Sequence, residues 1–150
     1  MLSKIKLIIF VLLILLGSFL YFSFNSSYQD SIEARIYYLL GNYKEAYKLA
    51  KKAYEKDSYN KMANTILTQS KIALSYEKYI EEGNEYLKKI NEISSKKDFS
   101  SADKVRIKMM CEIMIESYND LKSSVLTDDE LKKNAHDMQK KFQQLYDELF

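Results

Sequence analysis

The chain has 150 residues, 47% of them hydrophobic and 29% charged, with 23 Lys+Arg against 21 Asp+Glu, no proline, three glycines and one cysteine. So even a balance excludes the broad basic face that displaces counterions from nucleic-acid phosphates, and a lone cysteine excludes an internal disulfide. The scarcity of glycine and proline nearly excludes β-hairpin turns, and the abundant Lys, Glu, Leu, Ile, Ala, Met and Tyr predict an all-α fold.

At the amino terminus, Lys4 and Lys6 precede a run from Leu7 to Phe24 whose one ionisable side chain is the phenol of Tyr21. Ile5 to Phe24 supplies the ~20 apolar residues that crossing ~30 Å of hydrocarbon requires. Residues 1–24 are therefore expected to form a cytoplasmic stub and transmembrane anchor, and residues 25–150 one all-helical domain with a single core. Both lysines lie before the run and Asn25 to Asp30 has no cation. The positive-inside bias then predicts a single-pass inner-membrane protein with its amino terminus in the cytoplasm and the remainder periplasmic or otherwise extracytoplasmic. Tyr21, Phe22 and Phe24 fit an aromatic interfacial belt, and no Ala-x-Ala-like site follows, which favours an uncleaved anchor over a cleaved signal. The formal sequon Asn25-Ser26-Ser27 abuts that anchor and is set aside.

The first helix after the anchor is expected from about Tyr28 to Leu40, with Ile32, Ile36, Tyr37, Leu39 and Leu40 available for burial, and Gly41 ends it. Asn42 caps the next helix, with Glu45 in the capping-box position. Tyr43, Ala46, Tyr47, Ala50, Ala53 and Tyr54 recur at spacings of three and four as far as Asp57. Two helices joined by so short a turn form an antiparallel αα-hairpin. From Asn60, the positions Met62, Ile66, Ala73, Tyr76, Ile80, Leu87 and Ile90 keep helical phase, as one long helix or as two broken near Gly83-Asn84.

Lys96 to Phe99 is the next connection, and Ser100 with Asp103 opens a helix through Leu121 whose apolar middle, Met109 to Ile115, predicts a central core helix. Thr127 is expected to cap the last helix, with Asp128, Asp129 and Glu130 in its first turn. Leu131, Ala135, Met138, Phe142, Leu145 and Leu149 alternate four and three apart, a heptad seam for the domain's own core or for self-association.

The segment Tyr37 to Ser58 resembles a tetratricopeptide repeat, the 34-residue helix-turn-helix unit. Ala34 and Tyr37 match the small and aromatic positions of its first helix. Gly41-Asn42-Tyr43-Lys44-Glu45-Ala46 resembles its turn and second-helix start, and Ala50 and Ala53 fall at its later packing positions. One repeat, Ser27 to Asn60, fits. Asp30, Glu33 and Ser58 depart from the motif's Trp, Leu and Pro, and a second frame from Lys61 is degenerate. The resemblance implies close approach of two helices through Ala34, Ala46 and Ala53, with Tyr37 and Tyr43 filling the gaps beside them. It also implies a module that binds proteins; with an anchor, in bacteria, it implies a scaffold or accessory of an envelope machine such as a secretion, pilus or flagellar-motor assembly. A structural spacer that self-associates through the Leu131–Leu149 seam is the alternative.

Residues with catalytic potential are few. His136, the one histidine, has Lys132, Lys133, Gln139 and Lys140 within helical reach and no carboxylate among them, so it reads as a surface residue. Cys111 lies among Met and Ile, where a thiol packs as a small hydrophobe. No metal motif, phosphate loop or nucleophile elbow can be traced, which predicts a non-enzyme without metal, cofactor or small-molecule substrate. The thirteen tyrosines, ten of them between Tyr28 and Tyr86, suit wet helical cores or a peptide groove. The expected partners are protein, and the membrane through the amino-terminal helix.

Overall fold

The computed structural model describes every residue except Met1, Asn25, Lys96, Lys97 and Phe99, and only the backbone of residues 2–4 and 21–24. The described residues form α-helices and no strands: α1 (Leu2–Phe24), α2 (Ser26–Leu39), α3 (Tyr43–Lys56), α4 (Lys61–Ser94), α5 (Ser101–Asn119) and α6 (Asp129–Leu149). The all-α class stands.

Each side chain from Ile5 to Leu20 on α1 is exposed. Among the described residues no helix is long and apolar enough to cross a membrane. This finding overturns the expected transmembrane anchor and, with it, the single-pass inner-membrane placement of the chain. The side chains of Lys4 and of the expected belt residues Tyr21, Phe22 and Phe24 lie outside the described residues. So do Asn25 of the sequon and most of the Lys96–Phe99 connection.

The chain divides into two compact units, Met1–Ser70 and Lys71–Phe150, and the boundary falls inside α4. In the first unit, α2 ends in a Schellman motif. The Gly41 N–H donates to the Tyr38 carbonyl at 3.1 Å and the Asn42 N–H to the Tyr37 carbonyl at 2.9 Å, with Gly41 at φ +75°. That left-handed conformation is open to glycine at no steric cost, so a two-residue turn can reverse the chain. The Asn42 side chain accepts from the Glu45 N–H and starts α3.

In the second unit, the Ser100–Asp103 capping box starts α5 as expected. The cap of α6 is Asp128, not Thr127. The Thr127 hydroxyl is occupied by the Ser124 N–H at 2.8 Å, which leaves the Asp128 carboxylate to accept from the Glu130 and Leu131 N–H groups. An ionised acceptor at a helix start also answers the helix dipole. α4 is one continuous helix through Gly83-Asn84.

The core of this unit joins Tyr76, Tyr79 and Ile90 of α4, Ile107, Cys111 and Met114 of α5, and Ala135, Met138 and Phe142 of α6. Tyr118 against His136, Glu112 against Tyr146 and Lys104 against Phe150 show that α5 and α6 run antiparallel. Contrary to expectation α5 is not apolar all round in use, because Met109 and Ile113 are exposed. One face of it alone meets the core.

Candidate interaction surface

The α2–α3 hairpin rests on methyl groups. Ala34, Ala46, Ala50 and Ala53 are fully buried, and Ala34, Ala46 and Ala50 cluster with Ile66, with half-buried Tyr37 and Tyr38 beside them. Side chains this small let two helix axes approach closely, and the tyrosines fill the flanks. Tyr43 is buried and meets the Tyr38 ring edge-on at 5.3 Å.

Polar contacts, not large aliphatics, hold the remaining buried face of α2. Asp30 is nearly buried and receives the ammonium groups of Lys52, at 3.1 Å, and Lys56 from α3. Burial pushes its carboxyl up, but hydrogen bonds and charge from Lys56 and Lys52 outweigh this and hold it below the usual carboxylate value. Asp30 thus ties α2 to α3 by charge. The wholly buried Asn60 amide donates to the Ser27 and Ser31 hydroxyls at 3.0 and 3.2 Å, while its carbonyl accepts from the Ala63 N–H and caps α4. Ser27 in turn donates to the Ala53 carbonyl at 2.8 Å.

None of this network stands out in the sequence. The faint signals are two lysines four apart on α3 and the small polar pair Ser27/Ser31, also four apart, on α2.

As a result Ile32, Ile36, Leu39 and Leu40, expected in the core, are 52%, 52%, 72% and 75% exposed. Small and polar residues occupy the inner face of α2, so its large aliphatics turn outward. They make a contiguous apolar surface with helical spacing, of the kind that marks interaction sites.

In the second unit the α6 seam faces inward. Ala135, Met138 and Phe142 are buried among Ile107, Cys111 and Met114, Leu131 and Leu145 are half-buried against that core, and Leu149 is 40% exposed. Burying Phe142 alone is worth ~2–3 kcal/mol. Tyr79 is buried and its hydroxyl donates to the Met114 carbonyl at 2.9 Å; burial, followed by the nearby Tyr118, pushes its phenol up to about 12.

His136 is exposed and lies 3.4 Å from the Tyr118 hydroxyl through Nδ1. Cys111 is fully buried, and burial, with Glu112 adding to it, raises its thiol above the ordinary value. Among the described residues no group of three or more His, Cys, Asp and Glu side chains could hold a metal ion.

Compared with protein-family models, curated proteins and solved structures, the chain matches none.

Proposed function

We propose that this chain is a tetratricopeptide-like protein–protein interaction module, a scaffold or assembly accessory whose exposed α2 face receives a protein partner. The observation that carries the reading is the juxtaposition in one hairpin of two opposite faces. Inside, Ala34, Ala46 and Ala50 bring α2 against α3; outside, Ile32, Ile36, Leu39 and Leu40 remain exposed. Repeat units of this class bury their apolar faces against neighbours, and an apolar outer face at the end of a short stack invites a further helical element. The module binds and does not transform, since His136 and Cys111 have no surroundings that would activate them. A spacer joined through the Leu131–Leu149 seam is the weaker reading, because Ala135, Met138 and Phe142 are spent inside their own unit.

The test is affinity capture with the tagged full chain, followed by identification of bound proteins and repetition with Ile36→Asp and Leu40→Asp. Capture is expected to fall at least about tenfold for both variants, equivalent to ~1.4 kcal/mol, and to survive His136→Ala. Partner capture that ignores the α2 substitutions, or depends on His136, refutes the reading.

A further inference from the structure

The connection between α5 and α6 makes one tight turn over Ser124 to Thr127. The Thr127 N–H donates to the Ser124 carbonyl at 3.1 Å, which closes a β-turn with Val125 and Leu126 at its two central positions. Gly, Pro, Asn, Asp and Ser dominate such turns, because they supply the required backbone angles or hydrogen-bond the turn itself. Here two branched aliphatics take the central places instead, Val125 99% and Leu126 56% exposed.

Their neighbours hold the turn in shape. The Ser124 N–H donates to the Thr127 hydroxyl, the Leu126 N–H donates to the Ser124 hydroxyl at 3.1 Å, and Thr127 is buried at the base. Val125 therefore adds nothing to the core and goes against the local preference of its position. A departure from local rules without a gain in packing is what functional sites show. The chain on either side is acidic: Asp120, Asp128, Asp129 and Glu130 are exposed, against Lys122 and a Lys132 that pairs with Asp129 at 2.8 Å.

We propose that the Val125–Leu126 turn is a docking knob for a basic amphipathic helix of another protein. The two aliphatics insert among the apolar side chains of that helix as a knob enters a hole, and lysines or arginines on its flanks meet the carboxylates around the turn. The apolar pair supplies the burial, while the charges select a cationic partner and repel an anionic one. A turn already fixed by Ser124 and Thr127 loses little conformational freedom on binding. This site lies in the second unit and does not depend on the α2 face.

The probe is a displayed library of amphipathic helical peptides, about 20 residues long, with polar faces of either charge. Peptides are selected on the full chain and counter-selected on the full chain carrying Val125→Ser, which discards those that bind α1 or the α2 face. The survivors are expected to be rich in Lys and Arg and to bind the parent at least about tenfold more tightly than Val125→Ser. Val125→Ile should keep their binding, and Asp120→Asn with Glu130→Gln should weaken it about threefold or more. The urea midpoint of Val125→Ser should equal that of the parent, since the side chain it replaces is 99% exposed. No survivors, acidic or neutral survivors, loss of binding in Val125→Ile, insensitivity to the two carboxylate changes, or a lowered midpoint in Val125→Ser overturns the proposal.

Discussion

Gly83 and Met138 meet with no room for a side chain between them: a Cβ on Gly83 would stand 2.6 Å from Met138 Cγ and 2.7 Å from its Sδ. A glycine inside a helix weakens it by up to ~1 kcal/mol relative to alanine. Here that cost is borne so that α4 and α6 can close on the core. The same residue that hints at a helix break in the sequence is a point of contact in the fold.

Gly83→Ala is therefore expected to destabilise the protein by ~1–2 kcal/mol, overpacking at Met138 outweighing the gain in helix propensity. Truncating the neighbour as well, in Gly83→Ala with Met138→Ala, should cost less than the two single changes added together. Urea unfolding of the three variants measures this. A stabilising Gly83→Ala would show that Met138 moves aside freely.

Asp30 predicts an asymmetry between partners. Lys52 and Lys56 have side chains 57% and 36% exposed and can return to water, whereas the Asp30 side chain is 12% exposed. Asp30→Asn should cost only ~1 kcal/mol, and Lys52→Ala with Lys56→Ala more, ~2–3 kcal/mol, because a carboxylate is left buried and unpaired. Since the folded carboxyl lies below its ordinary value of 3.8, its stabilisation is present above that pH and is lost as pH falls through the lowered folded value. Acid titration of stability should accordingly be shallower in Asp30→Asn. An unchanged acid limb would mean that the ion pairs do not form in solution.

Tyr79 gives the opposite sign at the other end of the pH range. Its folded phenol is pushed up to about 12 from 10.0, so its contribution is complete below pH 10 and fades as pH rises toward 12. Tyr79→Phe removes the hydrogen bond to the Met114 carbonyl and should cost ~1 kcal/mol at neutral pH. It should also flatten the alkaline loss of stability between those limits, readable by thermal melts across pH. A melt profile identical to the wild type would place the phenol in water.

Ala46→Phe is expected to destabilise the protein by ~1–3 kcal/mol, since Ala46 is fully buried where α2 and α3 pack. Lys44→Ala, one turn edge away and exposed, should change stability by less than ~0.5 kcal/mol. Calorimetric midpoints of the two variants distinguish a packed hairpin from a loose one.

What the sequence determines by itself is local. Gly41 and Asn42 mark the α2–α3 turn, Ser100 and Asp103 the start of α5, and the alanines of the hairpin their own burial, because capping and close approach depend on residues a few positions apart. The α6 seam is legible for the same reason, its period being written in Leu131 to Leu149. Thr127 and Asp128 show the limit of such reading: either can cap, and the neighbouring Ser124 N–H settles which one does. The tertiary structure alone decided which face of α2 is inside. Periodicity records that Ile32 and Ile36 are apolar, but it cannot show that Ser27, Ser31 and Asp30 find hydrogen-bond partners 22 to 33 residues away and so take the buried side. Those partners lie on different helices, and a polar group belongs in a core only when such partners are already in place.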